Sequence, residues 1–420
     1  MYNHTEIRRP ELLSPAGDYE RLVMAVTYGA DAVYLAGREF GMRAAAANFD
    51  NETLIKGIEF AHSAGRRVYV TCNTLPREDE LKRLPEYLEF LQSAGADALI
   101  IADLGVLSLA SRYAPKIAKH VSTQLGVINS AAACMLHDLG ADTVVLARET
   151  PLEDIRLIRE HTPKELKLEA FVHGAMCVSF SGRCLLSNYL TNRDSNRGQC
   201  AQPCRWKYHL MEETRPGEYF EITEDSGGYT DPDPEAPHGS TGTYIFNSND
   251  MCMIEHLGEL YEAGIDSFKI EGRMKSAYYT ATVTNAYRHA VDAMLQGGSL
   301  DPLWIAETEK VSHRPYSTGF YYGYPGQHYG TSSYTQSADI VAVVEECDAD
   351  GNAVLTQRNR FFAGDQLELM NPELLPLKFT AEKIYDNNGV EIPDTHQAMM
   401  RFRLKLPMQV PRYTILRKER

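Results

Sequence analysis

One unit recurs four times along this 420-residue chain and restricts what it can fold into: YGADAVYLAG at 28–37, AGADALIIAD at 94–103, LGADTVVLAR at 139–148 and AGIDSFKIEG at 263–272. Each copy follows a stretch of helical periodicity. A glycine ends the helix in the left-handed conformation, a short polar turn follows, and a run of Val, Ile, Leu or Tyr enters a strand buried on both faces. The unit is therefore a helix-to-strand joint of a parallel α/β protein.

Four further strands are predicted between the copies, PELLSPAG at 10–17, RRVYVTCN at 66–73, KHVSTQLG at 119–126 and KLEAFVHG at 167–174. Helical spacing of apolar residues marks Asp18–Tyr28, Asn51–Ala64, Glu78–Ala94, Leu104–Tyr113, Ser130–Leu139 and Pro151–Glu160. Eight alternating units predict a closed TIM-type (β/α)8 barrel. The competing open, doubly wound sheet lacks support, because SPAGDYE after the first strand is not a GxGxxG turn. In a barrel the chemistry sits at the C-terminal strand ends, which here are Ser14, Asn73, Asp103, Gln124, Arg148, His173 and the run Glu271, Gly272 and Arg273.

The alternation breaks twice. Residues 175–250 form an excursion with four cysteines and the hydrophilic run EDSGGYTDPDPEAPHGSTGTY, expected as a mobile surface loop. The aromatic and Gly-rich segment 313–335 reads as a linker, and from 336 to 420 six short alternating runs predict a small C-terminal β-barrel domain. The expected domains are thus 1–312, with its insertion, and 336–420.

A formal net charge of −15 excludes a protein that coats nucleic acid through bulk charge, though a local basic rim is compatible with it. No apolar run is long enough for a membrane span, and MYNHTEIRRPELLSP lacks the apolar centre of a signal peptide, so a cytoplasmic location without membrane contact is expected. In that compartment eight cysteines are not structural disulfides. Cys177, Cys184, Cys200 and Cys204 form a C-x6-C-x15-C-x3-C array among Gly, Ser, Asn and Arg. Four thiolates suit structural zinc or an iron–sulfur cluster. The first gap fits paired zinc knuckles poorly and favours the cluster. Cys72, Cys134 and Cys347 read as packing residues, and Cys252 as a spare ligand or an ordinary residue.

The run from Glu169 through Phe171, Gly174 and Cys177 to Gly182, Cys184 and Ser187 resembles the signature of the peptidase U32 family, the collagenase-like proteases. The likeness extends through ELLSPAGDYERL, GQCAQPCRW, NSNDMC and KIEGRMKS into the C-terminal domain, and is strongest to prephenate-dependent tRNA uridine hydroxylation proteins. The resemblance implies 5-hydroxylation of the tRNA wobble uridine. It also implies a 4Fe-4S cluster on Cys177, Cys184, Cys200 and Cys204, prephenate as hydroxyl source, and tRNA and a paralogous U32 protein as partners. Candidate catalytic residues are Glu169, His173, Glu271 and Arg273. Arg148 and Lys275 are expected as clamps for a small carboxylate metabolite, with Asn73 and Gln124 orienting a base edge or bracing loop amides. The alternatives are a U32-type peptidase, for which His173 and Cys177 form a base–nucleophile pair, and a zinc-stabilised, non-enzymatic RNA-binding protein.

Overall fold

A computed structural model describes residues 9–42, 48–209, 211–221 and 243–420. Most of the hydrophilic run at 224–244 lies outside them.

Eight parallel strands close into a barrel: β1 (Glu11–Pro15), β2 (Ala32–Leu35), β3 (Arg67–Cys72), β4 (Ala98–Ile101), β5 (Ala118–Val121), β6 (Thr143–Val145), β7 (Lys167–Ala175) and β8 (Ser267–Ile270). Closure is direct, since β8 pairs in parallel with both β7 and β1. The repeated unit explains the register. Its glycines Gly29, Gly95, Gly140 and Gly264 all have φ between 86° and 101°. Two residues later Asp31, Asp97, Asp142 and Asp266 each donate a backbone N–H to the neighbouring odd-numbered strand. Each Asp carboxylate then accepts the backbone N–H of Leu12, Val68, Lys119 or Leu168 at 2.7–3.0 Å. Every even strand is thereby pinned to its predecessor by both backbone and side chain. This is why the sequence repeats Gly-x-Asp rather than glycine alone.

Helices of the outer ring follow the predicted spans, with one difference. The stretch 78–94 is two helices, Glu78–Leu81 and Leu84–Ser93, because Pro85 sits in the first turn of the second. Proline lacks the N–H that continuation would need and its ring clashes with the preceding turn. The nineteen-residue helix Ala277–Leu295 follows β8 and is buried along most of its length.

Inside the barrel one patch is apolar, built on Leu13, Tyr34, Tyr69 and Ile100. A polar cluster also occupies the interior. Lys269 Nζ donates to Glu169 Oε1 at 2.6 Å, and Ser267 Oγ bridges Glu169 Oε2 at 3.1 Å and Glu11 Oε1 at 3.2 Å.

The C-terminal unit is one antiparallel sheet of eight strands curled into a half-barrel, beginning with β9 (Ala338–Cys347) and β10 (Asn352–Gln357) and ending with β11 (Arg401–Lys405) and β12 (Ile415–Glu419). The expected run LKFTAEKIYD is split between two strands, Leu377–Thr380 and Ile384–Asp386. Arg417 of β12, fully buried, holds the sheet to the barrel: its guanidinium grips Glu307 of helix Pro302–Glu309 at 2.6 and 2.7 Å and Glu368 at 2.7 Å. The segment between the units packs back on the barrel, where Tyr321 Oη donates to Phe171 O at 2.6 Å and Tyr316–Ser317 pairs with Asp250–Met251. Among the described residues no helix is long and apolar enough to cross a membrane.

Candidate functional site

A cavity of about 720 Å³ opens at the C-terminal ends of the barrel strands. Its lining combines those strand ends with residues drawn from 175–186 and 195–205, among them Cys177, Cys184, Cys200 and Cys204, and with Lys269, the Glu271–Ser276 turn, Ser312, Arg314, Tyr334 and Gln336.

Glycine lets the cysteine segment settle there. At Gly174, φ is 113° and a Cβ would stand 2.6 Å from Glu271 O, so only glycine lets β7 pass the end of β8. At Gly182, φ is 74° and a Cβ would fall 1.9 Å from Gln124 O, so the loop between Cys177 and Cys184 lies directly on the end of the β5 unit. The two halves of the segment are then tied together. Cys184 O accepts from Ser195 Oγ at 2.7 Å and Asn196 Nδ2 at 3.3 Å, and Ala201 N donates to Ser187 Oγ at 3.0 Å. Arg205 anchors the far end, donating to Asn247 Oδ1, Ser248 O and Met176 O at 2.5–2.7 Å.

Cys177, Cys184, Cys200 and Cys204 all line the cavity. Burial pushes the Cys204 thiol up to about 11; Arg205 opposes this, and Cys177, Cys200 and Cys184 add to it. Four sulfurs thus face one space. Cys252 is turned elsewhere, with Sγ 3.7 Å from Tyr287 Oη.

The remaining wall is cationic despite the acidic composition. Among the described lining residues Arg148, Arg205, Lys269, Arg273, Lys275 and Arg314 outnumber Glu149 and Glu271. Arg148 donates to Glu271 Oε2 at 3.3 Å and Ala175 O at 3.1 Å while lying over the Phe171 ring. Arg273, 5% exposed, reaches Thr71 Oγ1 at 3.5 Å. Asn73 Nδ2 donates to Gln124 Oε1 at 2.7 Å, so these two amides brace each other.

Peptidase family U32 matches residues 17–331, and the peptidase family U32 C-terminal domain matches residues 336–417. The chain belongs to peptidase family U32. This U32 chain is 37% identical over 418 residues to the tRNA hydroxylation protein P1 of Bacillus subtilis, covering 98% of this chain and 95% of that one. It is 36% identical over 315 residues to a 23S rRNA 5-hydroxycytidine synthase of Escherichia coli, covering 73% of this chain and 44% of that one. It is 32% identical over 326 residues to a collagenase of Porphyromonas gingivalis, covering 74% and 73%.

Two candidates of the U32 chain lie outside the cavity lining. Glu169 is buried in the barrel interior against Lys269. His173 is buried with Nδ1 3.2 Å from Tyr287 Oη and Nε2 3.5 Å from Tyr316 Oη. Burial, reinforced by Lys275 and His313, holds its imidazole down at about 3. The cause is a β-bulge: Lys269 pairs with Phe171 but Ile270 with His173, so Val172 is left over and the strand's alternation is reset. Among the lining residues that sequence reasoning missed are Lys269, Arg314 and Tyr334. Lys269 was legible as an inward position two before Glu271, by the period of a strand. Arg314 and Tyr334 come from beyond the barrel and gave no local signal.

Proposed function

We propose that the protein is an RNA-modifying hydroxylase that acts at C5 of a tRNA wobble uridine and carries a 4Fe-4S cluster on Cys177, Cys184, Cys200 and Cys204. The observation that carries the reading is that four thiols and a cation-rich wall share one cavity at the barrel mouth. In support, a relative spanning almost the whole chain is named for tRNA hydroxylation and another for synthesis of a hydroxylated rRNA nucleoside.

The spacing of the thiols along the chain favours a cluster over zinc, because the six residues between Cys177 and Cys184 fit the paired knuckles of zinc ribbons poorly. Zinc gathers four sulfurs at about 2.3 Å from one point, hence about 3.8 Å from each other. A four-iron cluster takes each thiolate on a different iron, which asks only that the sulfurs surround a common space. When bound, such a cluster supplies the one-electron chemistry that side chains lack.

The chain's own residues then position and shield. Arg273 and Lys275 attract a small carboxylate ligand, with prephenate the proposed one, while the Arg148–Glu271 pair fixes one wall. Asn73 and Gln124 hold the rim. Arg401, Arg403 and Lys405 lie on the exposed face of β11 and offer contacts to RNA phosphates. Cysteine-peptidase chemistry fits less well, because no histidine lines the cavity among the described residues and both ring nitrogens of His173 face tyrosines.

Anaerobic purification with visible absorption, iron and sulfide assays tests the cluster. Cys→Ser variants at the four positions lose the chromophore and Cys252→Ser keeps it, whereas a colourless, zinc-loaded protein overturns the reading. Mass spectrometry of tRNA nucleosides from a deletion strain tests the reaction, and unchanged 5-hydroxyuridine derivatives would refute it.

A further inference from the structure

Part of the cavity wall comes from the turn after β8 and from the segment that follows the barrel. There Arg314 is 3% exposed, and its Nη1 and backbone N both contact the Asp250 carboxylate, at 3.3 and 3.1 Å. Its Nε, although buried, has no hydrogen-bond partner. Beside it Lys275 Nζ donates to Ser312 O at 2.8 Å. Lys275 Nζ stands 3.9 Å and Arg314 Cζ 4.2 Å from the centre of the same Tyr334 ring, so both cations lie against one aromatic side chain of the cavity wall.

A buried guanidinium with an orphan donor, beside a second cation of the same cavity wall, is a costly arrangement. Buried donors are nearly always satisfied, and one left over calls for an acceptor. Burial lowers Lys275 to about 8; Asp250 opposes that, and Arg314 and Arg205 add to it. An anion that accepts from Arg314 Nε satisfies the unmet donor and gains from the charge of Lys275 on the same wall. An RNA phosphate carries a sugar on each side, which makes it a poor fit to a guanidinium this enclosed. A carboxylate at the end of a small molecule meets no such obstacle.

We propose that Arg314 Nε and Lys275 Nζ form a carboxylate-binding subsite within the cavity, with the Tyr334 ring as its edge. The site stands on the orphan donor and its neighbouring cation; only the identity of the ligand rests on the functional reading above. The subsite predicts that the segment read as a linker contributes directly to ligand recognition.

The test is calorimetric titration of the full-length protein with prephenate, and with a short oligouridylate as the phosphate arm. Arg314→Lys keeps a cation against Asp250 and Tyr334 but removes Nε. It is expected to weaken prephenate binding about ten- to hundredfold at unchanged melting temperature. Lys275→Gln is expected to act similarly. Should Arg314→Lys fold poorly, Asp250→Asn/Arg314→Leu removes both buried charges together and is expected to show the same loss. Wild-type affinity in these variants overturns the subsite, as does failure of the unaltered protein to bind prephenate, or Arg314-dependent binding of oligouridylate alone. Arg314-dependent prephenate binding by a protein that leaves tRNA nucleosides unchanged sinks the hydroxylase reading and leaves the subsite standing.

Discussion

Replacing Glu169 by Ala isolates the energetics of the barrel's polar interior. The Glu169 side chain is fully buried, Lys269 nearly so, and the two form an ion pair at 2.6 Å. Removing one member of such a pair costs about 3–5 kcal/mol, since the survivor is a charge without water or counterion. One feature of the site lowers that range. The Lys269 ammonium keeps the Tyr34 ring at 4.7 Å and the Phe171 ring at 5.5 Å, an offset of about 1 kcal/mol. The expected loss is therefore about 2–4 kcal/mol. With a urea m-value of about 3 kcal/mol/M, the midpoint falls by roughly 1 M. Glu169→Met/Lys269→Met removes both charges and is expected to recover most of the loss, because well-packed apolar replacements of a buried pair are often neutral. Urea titrations of the unaltered protein, the single variant and the double variant make the comparison. A shift below about 0.3 M for Glu169→Ala, or a double variant no better than the single, would refute the reasoning.

Acid stability is set in part by two histidines. His120 and His173 are both held at about 3, chiefly by burial, whereas the unfolded chain protonates them near 6.5. The unfolded state therefore binds more protons throughout that window, so stability falls as pH drops from about 6.5 toward 3. Their joint contribution approaches about 2.7 kcal/mol per pH unit; a slope unaltered in His173→Gln would contradict this. Arg417→Ala leaves the buried carboxylates of Glu307 and Glu368 with Lys310 alone. A cost of about 3–5 kcal/mol is expected, visible as proteolysis between the barrel and the C-terminal sheet at temperatures where the unaltered protein resists. Because Lys275 loses its proton at about 8, prephenate affinity is expected to fall as pH rises through that value and to lose this dependence in Lys275→Gln. A flat profile from pH 7 to 9 would exclude Lys275 as a binding cation.

What could be read in advance follows from which interactions are local. The barrel was legible because each Gly-x-Asp joint combines a left-handed helix stop with a carboxylate that caps the neighbouring strand, and both are written within three residues. The break before Pro85 escaped because apolar spacing is continuous across it, and only the proline's missing N–H divides the helix. At the mouth, Asn73, Gln124, Arg148, Glu271, Arg273 and Lys275 were found because a parallel barrel delivers successive strand ends to one cavity. His173 obeyed the same rule in sequence and broke it in space, since the bulge in β7 depends on pairing with β8, nearly a hundred residues away. Arg314 and Tyr334 depend on a chain that returns to the barrel after leaving it, a contact no periodicity encodes.

The charge distribution then joins these elements into one argument about entry. A chain with a net charge of −15 repels anions over most of its surface, yet the cavity at its barrel mouth gathers six cations. Field lines from such a cavity, bounded by low-dielectric walls, concentrate at its mouth and draw small anions inward. Two of the cations, Lys269 and Arg314, are balanced from behind by the carboxylates of Glu169 and Asp250, and Arg148 is balanced by Glu271. Arg205 and Lys275 donate instead to carbonyl oxygens, from backbone or amide. Arg273 lines the same cavity, so Lys275, Arg273 and Arg205 are the cations an incoming ligand meets besides Arg314. An anion drawn inward thus meets positive charge both at Lys275 and at Arg205, next to Cys204, as the proposed function requires of a co-substrate.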